Sequence, residues 1–362
     1  MQTPVDVQRL LDRAAAGERL TPDEGLLLLE RAELNELGRA AQAVTRRLHP
    51  EPLATYAVDR IVNYTNICVT DCDFCAYFRP PGDPEGYVLS REELHAKLRE
   101  LVACGGTQAL LQGGHHPHLK VEWYEDLLRF IRREFPKLHI HGFSPAEFVH
   151  FARLWKMPVR EIIRRFKAAG LASIPGGGGE ILADRVRRLV APRKAMSDEW
   201  LGVFVQAHAE GLKGSCTMVI GHLETLPERI EHLERLRQVQ DRTGGLNGVW
   251  VAFIVWTMQP RHTRLEGRVA PAGACEYLRM LAVARLYLDN VPNFQASWPT
   301  QGPKIGQMSF LYGCNDWGGI MMEENVLSRA GTIHHVEIAE MRRLSSELGL
   351  VLRQRDFFYQ LL

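Results

Sequence analysis

The sequence predicts an α/β protein: a (β/α)8 TIM-type barrel over residues 51–362, behind a helical N-terminal segment, residues 1–50. Three observations predict it. Short β-rich apolar runs alternate with amphipathic helical runs about eight times, which implies a parallel sheet with right-handed crossovers. The Gly, His, Asn and Asp residues that interrupt the apolar runs cluster after the strands, where a barrel carries its active site. The glycines at 176–179 lack the G-x-G-x-x-G spacing that an open dinucleotide-binding sheet needs.

The elements follow in order. "MQTPVDVQRLLDRAAAGERL" predicts an amphipathic helix, and "TPDEGLLLLERA" a second, capped by Thr21 with Pro22 at its first position. "DRIVNYT" is a strand, and "REELHAKLREL" a helix with a Ser90–Glu93 capping box. "TQALLQGG" is a strand cut off by glycines, "EWYEDLLRFIRREF" a helix, "LHIHGFS" a strand and "PAEFVHFARLW" a helix. "LASIPGGGGE" reads as strand and turn, "EILADRVRRLV" and "DEWLGVFVQAHAEG" as helices, and "GSCTMVIG" as a strand. "LPERIEHLERLRQVQDRTGG" is a helix with a glycine stop, and "GVWVAFIVW" a buried strand. "ACEYLRMLAVARLYL" is a helix, "NFQASWP" and "FLYGCND" are short strands, and "TIHHVEIAEMRRLSSELG" is the closing helix.

Composition narrows the function. With 46% hydrophobic and 24% charged residues the chain is ordinary for a globular protein. Lys+Arg 44 against Asp+Glu 43 leaves no electrostatic footprint for nucleic acid. No apolar run is long enough for a membrane span, and the charged N-terminus is not a signal peptide. Of the 7 cysteines three are clustered and four scattered, which argues against a secreted disulfide framework and for a reducing cytoplasm.

The cluster is Cys68, Cys72 and Cys75 in "NYTNICVTDCDFCAY", in a loop leaving a strand. Zinc would need a fourth ligand, for which His115 or His116 is available. A redox pair of Cys72 and Cys75 leaves Cys68 unexplained. The third reading is a 4Fe-4S cubane on three thiolates, its fourth iron open to a non-protein ligand.

At this spacing the sequence resembles the radical S-adenosylmethionine (SAM) enzymes, in which SAM chelates the open iron. The resemblance implies a 4Fe-4S cluster, SAM as cofactor, and an electron donor such as flavodoxin or ferredoxin. Within that superfamily "NYTNICVTDCDFCAY", "GYVLSREEL", "GGTQALLQGGHHP", "HIHGFSPAE", "IPGGGGEIL", "IGHLET", "WTMQP" and "GCNDWGGIMMEENV" resemble the cyclic dehypoxanthine futalosine synthases of the futalosine route to menaquinone. That family closes the small-molecule substrate dehypoxanthine futalosine on itself after a 5′-deoxyadenosyl radical takes its C4′ hydrogen. Ser144-Pro145 argues against the alternative, aminofutalosine synthase, and "PGGGGE" and "MQP" against the deazaflavin radical synthase. His115 and Gly179 depart from the family pattern, which more often has leucine and alanine.

The resemblance and the strand-end positions together name candidates. Gly113 and Gly114 in "QGG", Ser144, Glu147, Phe74 and Trp256 are assigned to SAM. Arg79 and Arg261 are candidates for the substrate carboxylate, because a guanidinium fork is bidentate. Asn315 and Glu324, and Glu323 beside it, are candidates for substrate contacts. Asp316, His222 and His141 are the candidate proton-transfer residues. Cys104, Cys216, Cys275 and Cys314 are expected to be dispensable for the cluster.

Overall fold

The computed structural model describes residues 6–332 and 334–362. The first five residues of the predicted leading helix lie outside the described residues. Helix α1 (Val7–Ala16) is capped by the Asp6 carboxylate and stopped by Gly17 at φ 99°. Helix α2 (Pro22–Arg31) carries the full Thr21–Glu24 capping box, and α3 (Leu34–Leu48) follows directly.

Strands β1 (Leu53–Ala57) and β2 (Asp59–Val62) are one extended run broken only at Val58. Then come α4 (Arg91–Ala103), β3 (Gln108–Leu111), α5 (Val121–Glu134), β4 (His139–Gly142), α6 (Pro145–Trp155), α7 (Val159–Ala169) and β5 (Ser173–Ile174). The second half runs α8 (Asp184–Val190), α9 (Ser197–Ala209), β6 (Lys213–Ile220), α10 (Leu226–Thr243), β7 (Trp250–Thr257) and α11 (Ala274–Tyr287). It ends with β8 (Asn293–Gln295), α12 (Trp298–Ser309), β9 (Asp316–Gly319), α13 (Val326–Arg329), α14 (Ile338–Glu347) and β10 (Val351–Gln354).

All strand pairs are parallel, in the order β10-β1-β9-β8-β7-β6-β5-β4-β3-β2. Because β1 and β2 are continuous, the two ends of that order meet. Ala57 O accepts from Ile320 N on the β9 side, and Val58 O accepts from Thr107 N on the β3 side. The strands therefore curl into a ring with helices outside it, as the alternation predicts. The leader helices bury Leu10, Leu28, Leu37 and Val44 in the same core as the barrel. Arg237 of α10 ties them down by donating to Leu20 O at 2.8 Å.

Three predicted elements differ. "FLYGCND" is not a strand: Gly313 turns the chain at φ 110°, and β9 starts only at Asp316. "NFQASWP" is a strand only over Asn293–Gln295, and Trp298 already opens α12; Gly302 at φ 78° and Pro303 interrupt that helix and hide its periodicity. The closing helix begins at Ile338 rather than Thr332 (Ile333 lies outside the described residues), and β10 follows it. After β10 the chain turns under the ring, where Arg355 and Phe357 are buried. Phe357 stacks on His139 at 4.6 Å and 15°.

Candidate functional site

Inside the ring lies a cavity of about 410 Å³. Strand alternation decides what reaches it: Ala57, Asp59, Ile61 and Asn63 line it from β1, β2 and the residue beyond. Arg355, Phe357 and Tyr359 of the C-terminal tail also line it. Cys68, Cys72 and Cys75 all border it.

The cysteine loop is held by its own backbone. Cys68 N donates to Arg79 O at 2.9 Å, Arg79 N to Asn66 O at 2.8 Å, and Asp73 N to Val190 O at 2.8 Å. Thr70 N points at Cys68 Sγ at 3.4 Å, and the backbone N–H groups of Tyr77 and Phe78 favour a charged Cys75 sulfur. Burial pushes the Cys72 thiol up to about 12, against the pull of the Lys194 ammonium. Thiolates in so dry a loop need a metal to hold them. Among the described residues, no three Cys, His, Asp or Glu side chains converge as one metal ion requires. A cubane takes each thiolate at a separate corner, so its ligands need not converge on one point. Three thiols, N–H groups facing two of them and a buried cation make a donor set that fits an iron–sulfur cluster.

Lys194 and Glu180 form an ion pair of 3.0 Å on the cavity wall beside Cys72. Burial lowers the Lys194 ammonium, but Glu180 and Cys72 outweigh it and hold the group above its ordinary value. Lys194 Nζ also sits 4.9 Å from the centre of the Phe74 ring. Neither residue of this pair is singled out in the sequence, although Glu180 stands in the quoted stretch "IPGGGGEIL".

Gly113 and Gly114 line the cavity, and their lack of side chains has a packing cause. A Cβ on Gly113 would lie 2.5 Å from the Tyr64 ring, and one on Gly114 would lie 2.3 Å from Ile67 O. The end of β3 is thereby pressed against the cysteine loop. Glu147 locks the arrangement: its carboxylate accepts from Tyr64 Oη at 2.6 Å, Gly113 N at 3.1 Å and both Ser144 N and Oγ at 2.7 Å.

Residues 62–236 match the Radical SAM superfamily, and residues 247–362 the CofH/MqnC C-terminal region. A cyclic dehypoxanthine futalosine synthase of Streptomyces coelicolor is 46% identical over 99% of this chain and 90% of its own length. The chain belongs to the radical SAM superfamily. A cyclic dehypoxanthine futalosine synthase of Halalkalibacterium halodurans is 42% identical over 99% of this chain and 95% of its own. An aminodeoxyfutalosine synthase of Thermus thermophilus is 36% identical over 97% of this chain and 94% of its own. Methylornithine synthase shares the fold at a TM-score of 0.73, with 18% identity over 95% of this chain and 97% of its own. The superfamily implies a 4Fe-4S cluster and SAM.

In this radical SAM chain Phe74, Ser144, Trp256, His141, His222 and Glu324 border the cavity with the cysteines. His141 Nδ1 lies 2.6 Å from the Ser173 hydroxyl, and burial holds its imidazole well below the usual range. His222 Nδ1 lies 3.3 Å from Glu224 but out of line for a hydrogen bond, and Nε2 has no partner among the described residues. Glu324 accepts from the N–H groups of Val326, Leu327 and Ser328, so it caps α13.

Six candidates do not fit their assigned roles. Asp316 is fully buried at the start of β9, and Arg355 and Thr55 occupy its carboxylate. Asn315 bonds Phe294 N and Asn293 Oδ1 at the start of β8, and neither it nor Asp316 borders the cavity. Both stand at the beginning of a strand that was expected to end there. Arg79 braces the cysteine loop through Glu85 and Phe78 O, while Arg261 is exposed beside Gly331; neither reaches the cavity. Glu147 is spent on Tyr64, Ser144 and Gly113, and Glu323 pairs outside with Arg60 and Lys97. Asp59, overlooked in the sequence, faces inward; its signal was the alternation with Ile61 and Asn63.

Proposed function

We propose that this chain is a radical SAM cyclase that converts dehypoxanthine futalosine to its cyclic form in menaquinone biosynthesis. One observation carries the reading: 46% and 42% identity to two such synthases over 99% of the chain, above the 36% to an aminodeoxyfutalosine synthase. Ser144-Pro145 and "PGGGGE" support it.

When bound, the cluster and SAM supply a 5′-deoxyadenosyl radical that takes the C4′ hydrogen. Cys68, Cys72 and Cys75 would hold the cluster. Gly113 and Gly114 present backbone beside it, and Lys194 lies where a SAM carboxylate can meet an ammonium. Trp256 and His222, at the ends of β7 and β6, would flank the adenine. Neutral polar groups (Asn63, Gln108, Thr257 and Gln295) offer hydrogen bonds to the substrate's ribose and chain. The barrel wall keeps C4′ and the benzoate ring together and keeps stray hydrogen donors out. The leader helices α1 to α3 buttress the barrel, and an electron donor such as flavodoxin or ferredoxin supplies the electron.

The test is anaerobic turnover by reconstituted enzyme with each substrate. Cyclisation of dehypoxanthine futalosine is expected. Turnover of the enol-ether precursor alone would make the chain an aminofutalosine synthase.

A further inference from the structure

Cyclisation joins C4′ to a carbon of the benzoate ring, and that carbon must then lose its hydrogen. The departing proton needs an acceptor inside the cavity. Burial weakens an imidazole as a base and strengthens a carboxylate. His141 and His222 are thereby poor acceptors, since burial lowers both. Three carboxylates border the cavity: Asp59, Glu180 and Glu324. Glu180 is paired with Lys194 at 3.0 Å, and Glu324 is tied to three backbone N–H groups of α13.

Asp59 differs from both. It is the first residue of β2 and points inward with Ile61 and Asn63. Its Oδ1 takes one long hydrogen bond, 3.3 Å from Met321 N, and Oδ2 has no hydrogen-bond partner among the described residues. Gly319 makes room for it: a Cβ there would lie 2.1 Å from Oδ1. The charged groups acting on it are Arg355, already bidentate on Asp316, and Asp316 itself. Burial is the largest influence and raises its carboxyl to about 6, suited to accepting a proton near neutrality.

We propose that the Asp59 carboxylate is the catalytic base that takes the ring proton as the new carbon–carbon bond closes. The inference rests on the cyclase reading. The C4′–ring bond forms and the ring C–H bond breaks. The proton goes to Asp59 Oδ2, and the remaining unpaired electron goes to the oxidised iron–sulfur cluster, so the ring leaves with a closed shell.

The experiment measures cyclised product per 5′-deoxyadenosine in wild type, Asp59→Asn and Asp59→Glu. The ratio is expected to fall about a hundredfold in Asp59→Asn and to recover in part in Asp59→Glu. Deuterium at the attacked ring carbon should slow product formation in Asp59→Asn more than in wild type. Wild type alone provides a second measurement: its ratio should fall as pH drops below about 6. In cluster-free protein, the infrared C=O band of a buried carboxylic acid should grow over the same pH range and be absent from Asp59→Asn. A ratio within twofold of wild type in Asp59→Asn, or a wild-type ratio flat between about pH 5 and 8, overturns the assignment while leaving the cyclase standing. Absence of any cyclised product from wild type overturns both.

Discussion

Arg355 grips Asp316 through two hydrogen bonds of 2.7 Å, both side chains almost wholly shielded from solvent. The contact joins the C-terminal tail to the start of β9, and Arg355 also lies 4.0 Å over the Tyr359 ring. It fixes the floor of the cavity, and it occupies the Asp316 carboxylate away from the cavity lining. Removing one member of such a pair strands a buried charge, at a cost of about 3–5 kcal/mol. Arg355→Met and Asp316→Ala should each lower the thermal midpoint by many degrees. A catalytic Asp316 would behave otherwise, leaving the midpoint intact and abolishing turnover; calorimetry with assay of the folded fraction separates the two.

The tail also shows where sequence legibility ends. The alternation of apolar runs exposed the ring, because each strand–helix unit carries its own period. The cysteine spacing exposed the metal loop, because all three ligands sit within one short stretch. Asp316 and Asn315 were misread because a strand of four residues, Asp316–Gly319, gives no period from which to tell its start from its end. Arg355 and Phe357 reach the cavity from the far end of the chain, and no local pattern announces that contact. The meaning of the Lys194–Glu180 pair likewise comes from neighbours distant in sequence, whereas the inward direction of Asp59 is legible in its alternation with Ile61 and Asn63.

Gly114 is the tightest point between β3 and the cysteine loop. A methyl group would lie 2.3 Å from Ile67 O and 3.1 Å from Cys68 Cβ, and backbone cannot step aside as a side-chain tip can. Gly114→Ala should destabilise the chain by about 1–3 kcal/mol and displace Cys68. Iron content after reconstitution is the readout, and a full complement of iron in a stable variant would show that the loop tolerates the shift.

The cysteines divide by position. Replacing Cys68, Cys72 or Cys75 with alanine should abolish the brown iron–sulfur absorbance and 5′-deoxyadenosine formation. Cys104 and Cys275 are exposed, and Cys216 and Cys314 are buried as small apolar side chains. Serine at 104 or 275, and alanine at 216 or 314, should leave the absorbance unchanged; its loss in any of these would reveal a fourth protein ligand.

Acid stability should report His232 and His139. Burial pushes His232 down to about 3, helped by the nearby Arg187, and pushes His139 down to about 4. His232 Nδ1 accepts from Leu182 N at 3.0 Å, so the ring must stay neutral at that nitrogen. In the unfolded chain both imidazoles titrate near about 6.5. Between that value and the folded ones the unfolded state binds more protons, so stability falls as pH drops from about 6.5 toward about 4. Each group contributes a slope of roughly 1 kcal/mol per pH unit. Above about pH 7 both states hold neutral imidazoles and the contribution is flat. His232→Asn should flatten the stability profile between about pH 4 and 6 relative to wild type, even though the variant is less stable at pH 7. Denaturant melts across that range decide it: an unaltered slope would mean that His232 is protonated in the folded chain and that its cavity admits the charge.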